Sequence, residues 1–63
     1  MAKKRIDIAV KDPTFGEQYY RGEAFDQSGT KVAYAYEKTR DDARRSVIQK
    51  VRSMYGQDAE IIY

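Results

Sequence analysis

The sequence predicts one small α+β domain with the element order β-β-β-α-β. It consists of a three-stranded antiparallel sheet, one helix packed on one sheet face, and a short C-terminal strand. Three observations predict it. Segments before residue 38 alternate apolar and polar residues with period two and are separated by turn-forming residues. After Thr39 the apolar period lengthens to that of a helix, and beyond Gly56 the segment Ala59-Glu60-Ile61-Ile62-Tyr63 reads as a short final strand. The chain has 63 residues, for which surface scaling gives about 4,200 Å² folded against about 10,600 Å² extended. That suits a single core over residues 1–63 and excludes a second.

The first strand is Arg5 to Lys11, where Ile6, Ile8 and Val10 alternate with charged or small residues. Lys11-Asp12-Pro13-Thr14 stops it, because Asp-Pro favours a turn and Pro13 has no amide hydrogen for a ladder. The connection runs to about Gln18, long for a hairpin. Its Phe15 is expected to fold back over the core; a mobile recognition loop is the alternative.

The second strand is Tyr19 to Asp26 and the third Thr30 to Glu37. Gln27-Ser28-Gly29 reads as a type I turn ending in a left-handed residue, the position glycine fills without steric cost. Asp26 opposite Thr30 then sets Ala24 against Val32, Gly22 against Tyr34 and Tyr20 against Tyr36. In that register Tyr20, Gly22, Ala24, Val32, Tyr34 and Tyr36 form the core face, with Tyr34 covering the bare Gly22 backbone. Tyr19, Arg21, Glu23, Phe25, Lys31, Ala33, Ala35 and Glu37 occupy the other face.

Thr39 caps the helix, with Asp42 at the capping-box position and Asp41 beside it, where the positive helix end favours acids. Ala43, Val47, Ile48, Val51, Met54 and Tyr55 form a buried stripe of about 140°. Arg44 lies within that stripe by angle, so its stem is expected to pack over the sheet edge. Gly56 is the C-cap. A right-handed crossover places the segment from Ala59 parallel to the first strand, giving the order 3-2-1-4 with one sheet face open.

The residue inventory argues against catalysis. The chain has no His and no Cys, which removes the commonest general base, the thiol nucleophile and the usual zinc ligands. Its glycines are scattered and make no phosphate loop. Asp41 and Asp42 read as dipole complements rather than metal ligands. The expectation is a non-enzymatic protein without metal or cofactor. No run is long enough to span a membrane. The basic opening Met1-Ala2-Lys3-Lys4-Arg5 is followed by charge alternation instead of a signal-peptide core. Absence of Cys fits a reducing compartment, so a cytoplasmic location is expected.

Two binding surfaces compete. The sheet face bearing Tyr19, Arg21 and Phe25, together with Phe15, suits a protein partner, because Tyr and Arg are enriched at interface anchors. The segment 39–57 carries a net charge of +3, and its Arg45, Lys50 and Arg52 offer phosphate contacts, extended by Lys3-Lys4-Arg5 and assisted by Tyr19 and Phe25. Asp41 and Asp42 pair locally with Arg44 and Arg45, leaving Lys50 and Arg52 without an evident partner. Glu23 and Glu37 on the sheet face repel phosphate. The leading expectation is therefore a small accessory or inhibitor protein covering part of a protein partner, the alternative being nucleic-acid binding. A second copy is the simplest partner, through the open sheet face or the third strand's edge. A phage or plasmid origin is a conjecture by analogy with small inhibitors of that kind.

Overall fold

In the computed structural model, residues 3–63 are described; Met1 and Ala2 of the basic opening lie outside them. Alternation yields β1 (Lys4–Lys11), β2 (Tyr20–Phe25) and β3 (Lys31–Glu37), followed by α1 (Arg40–Tyr55) and β4 (Ala59–Ile62). The strands form one sheet in the order β3-β2-β1-β4. It is mixed: β1–β2 and β2–β3 are antiparallel, while the crossover through α1 brings β4 in parallel to β1. Among the described residues, no helix is long and apolar enough to cross a membrane.

Local chemistry sets the element ends as the sequence predicts. The Thr39 hydroxyl accepts from the Asp42 amide at 3.1 Å. Gly56 adopts φ 62° and its N–H reaches the Arg52 carbonyl. In the β2–β3 loop, Gly29 has φ 87° and its amide bonds the Asp26 carbonyl at 3.0 Å. The Asp26 carboxylate accepts from the Ser28 hydroxyl and from the amides of Thr30 and Ser28, and these bonds hold its pKa below the usual aspartate range.

The helix packs on the face bearing Ile6, Ile8 and Val10. Ile6, Ala24, Ala35, Ala43, Val47, Val51 and Ala59 are buried there, with Ile8, Val32, Ala33, Tyr55 and Ile61 packed partly against them. This corrects the predicted core face. Asp26 does oppose Thr30, its amide bonding the Thr30 carbonyl at 3.0 Å. A bulge beyond that pair then lets Phe25 face Lys31 and Ala24 face Ala33, with Val32 as the extra residue. Past the bulge, β3 is turned over: Ala33 and Ala35 look toward the helix, and Tyr34 and Tyr36 stand outward, 53% and 49% exposed. Gly22 faces Ala35, so Tyr34 does not cover it.

The physical reason is space. A Cβ on Gly22 would lie 2.4 Å from the Ala43 carbonyl oxygen, so the helix backbone sits directly on that strand. Only small neighbours fit beside such a contact, and β3 supplies Ala33 and Ala35 instead of two tyrosine rings. The helix stripe is narrower than expected: Met54 is 52% exposed, and Ile48 and Tyr55 are half-buried. Arg44 is exposed instead of packed over the sheet edge. Phe15 does not fold back over the core. It stands fully exposed beside Gly16 (φ 88°), in a turn closed by Thr14 and Glu17.

Candidate interaction surface

Among the described residues, the sheet face away from the helix carries no second layer. Strand register arranges its central side chains in cross-strand rows. Lys11, Arg21 and Tyr36 form one row, Ala9, Glu23 and Tyr34 the next, and Asp7, Phe25 and Lys31 the third. Tyr34 and Tyr36 meet edge to face with ring centroids 5.8 Å apart, a favourable aromatic geometry.

Glu23 sits at the centre and is only 2% exposed, although its strand face has no covering layer. The neighbouring side chains bury it. Lys31 Nζ donates to its carboxylate at 3.0 Å, and Arg21 Nε and Lys11 Nζ approach to 3.5 Å. Burial alone would push its pKa up. The Lys31 hydrogen bond and the Arg21 and Lys11 charges outweigh it and hold the carboxyl below the usual glutamate range. The Tyr36 side chain opposite, and then the Glu23 charge, raise Arg21 above the ordinary guanidinium value. Glu23 Oε1 and Arg21 Nε are buried without a hydrogen-bond partner.

The residues predicted for protein contact are only partly brought together. Arg21 and Phe25 lie on this face, Phe25 half-buried. Tyr19 is 45% exposed just before β2, and Phe15 belongs to the β1–β2 connection. Tyr34, Tyr36, Lys11 and Lys31 were not among the predicted contacts. The signal for the tyrosines was the alternation Ala33-Tyr34-Ala35-Tyr36 beside Gly22 and Ala24: one face small, the other large.

The helix cations are less free than their sequence suggests. Lys50, expected to lack a partner, donates to the Tyr34 carbonyl at 2.8 Å on the edge of β3, with its amine 5.5 Å from that ring's centroid. Arg40 bonds Asp12 at 2.6 Å and Arg45 lies 3.9 Å from Asp42. Arg44 and Arg52 are exposed. Glu37, expected on the open face, accepts from Ser46 of the helix at 3.0 Å. Among the described residues no group of three or more acidic side chains is placed to hold a metal ion. What the open face presents is aromatic surface beside the hydrogen-bond donors Lys11, Arg21 and Lys31.

Searches against family models, curated proteins and solved structures find no match to this chain.

Proposed function

We propose that this chain is a small, non-enzymatic, cytoplasmic binding protein that acts stoichiometrically by covering part of a protein partner. The open sheet face is its contact surface. The observation that carries this reading is the Tyr34–Tyr36 pair, half-exposed beside Arg21, with the Lys50 amine of α1 5.5 Å from the Tyr34 ring centroid at the sheet edge. Tyrosine and arginine are the residue types enriched at interface anchors, where a large ring buries area at small entropic cost. A standard interface of about 800 Å² takes roughly a sixth of the 4686 Å² surface. Addition of a second copy at the β3 edge is disfavoured, because Lys50 already occupies the Tyr34 carbonyl.

A second reading, single-stranded nucleic acid on the same face, is favoured by Lys11, Arg21 and Lys31 flanking the exposed rings. Glu37 no longer opposes it, since that residue turns toward the helix.

Quantitative affinity capture from the source cell with three baits separates these readings. Wild type and an Arg44→Ala/Arg52→Ala bait are expected to retain the same protein, and a Tyr34→Ala/Tyr36→Ala bait to lose it. Capture that nuclease abolishes supports the second reading. Retention by the tyrosine variant alongside loss by the arginine variant moves the function to the helix.

A further inference from the structure

Three cations surround the one Glu23 carboxylate. Lys31 alone supplies a hydrogen bond at 3.0 Å, yet Arg21 and Lys11 are also held within 3.5 Å. The cluster therefore carries two positive charges beyond what Glu23 neutralises. The surplus is local to Glu23: further out, Asp7 at 3.4 Å and Glu60 in the β1–β4 register share the one Arg5, and the Glu17 charge also acts on Arg21. Arg21 Nε–H is buried without a hydrogen bond, Glu23 Oε2 standing 3.5 Å away, a deficit it shares with Glu23 Oε1. The deficit lies in the same row as Tyr36 and one row from Tyr34.

Building on the binding function proposed above, we infer that the partner presents an acidic segment. Its carboxylates seat on Lys11, Arg21 and Lys31 while an apolar side chain packs on the Tyr34 and Tyr36 rings. Complementary charge fixes the register of such a segment and speeds its arrival, and the rings supply the desolvated anchor. Glu23 then has a second role. It competes with the partner's carboxylates for the three cations.

The test is a binding titration of the whole chain with a short peptide alternating Glu and Leu, its Gln-for-Glu counterpart, and oligothymidylate. The Glu peptide is expected to bind, with the Gln counterpart weaker by about tenfold. Arg21→Gln and Lys11→Gln are each expected to weaken the Glu peptide by about the same factor, while Arg44→Gln/Arg52→Gln leaves it unchanged. Glu23→Gln is the arm that damage to the fold cannot mimic. Removing the competing charge is expected to tighten the Glu peptide several-fold. Equal, Tyr34-dependent binding of both peptides overturns the acidic partner and leaves the binding surface standing. Absence of peptide binding, tighter binding of oligothymidylate, equal losses in the helix variant, or no gain in Glu23→Gln also overturns it.

Discussion

At Gly22 a single hydrogen atom in place of a side chain lets the helix lie against the sheet. A Cβ there would meet the Ala43 carbonyl oxygen at 2.4 Å and both the Ala43 carbonyl carbon and Val47 Cγ1 at 3.0 Å. Backbone cannot swing aside as the end of a long side chain can. Gly22→Ala is therefore expected to destabilise the domain by about 1–3 kcal/mol, as overpacking does, measured by thermal or urea denaturation. An unchanged midpoint would mean the helix does not rest there. Glu23 gives the second residue-scale prediction. Its carboxyl is held below the usual range of about 4.3, so its contribution to stability is complete above that value and is lost as pH falls through the lower folded value. The acid-side loss of stability is expected to be smaller in Glu23→Gln. Identical acid denaturation of the two proteins would show that the three cations do not stabilise the folded carboxylate.

At the scale of elements, α1 contributes through one narrow line of contact. Val47 and Val51 are fully buried and Met54 is half-exposed. Val47→Ala or Val51→Ala is expected to cost about 1–4 kcal/mol, much of the stability available to a domain this small. Met54→Ala is expected to shift the melting temperature little. Equal losses at all three positions would contradict the narrow stripe. The contrast between α1 and β3 also explains what the sequence made legible. Thr39, Gly56 and the Asp26–Thr30 loop act through bonds to residues a few positions away, so their roles can be read locally. The bulge at Val32 is not local. It depends on which β3 residues fit beneath a helix resting on Gly22, a choice made by packing between elements distant in the chain. Reading the hairpin without a bulge inverted β3 and put Tyr34 and Tyr36 into the core. The candidate surface was thereby reduced to Arg21 and Phe25 among the residues the open face presents.

For the molecule as a whole, the fold has two unlike sheet faces. One is closed by α1 over small and branched aliphatic side chains. The other exposes tyrosines and cations around a buried carboxylate. Lys50 occupies a carbonyl on the outer edge of β3, which disfavours strand addition there. The reading of this face as a binding surface rests on Tyr34 and Tyr36 pointing outward. The measurement that tests this most directly is relaxation of the tyrosine ring signals by a soluble paramagnetic agent, recorded by NMR on the free protein. Strong attenuation of Tyr34 and Tyr36, with Tyr20 and Tyr55 protected by comparison, is the expected result. Protection of Tyr34 and Tyr36 to the level of Tyr55 would restore the tyrosines to the core and contradict the proposed surface.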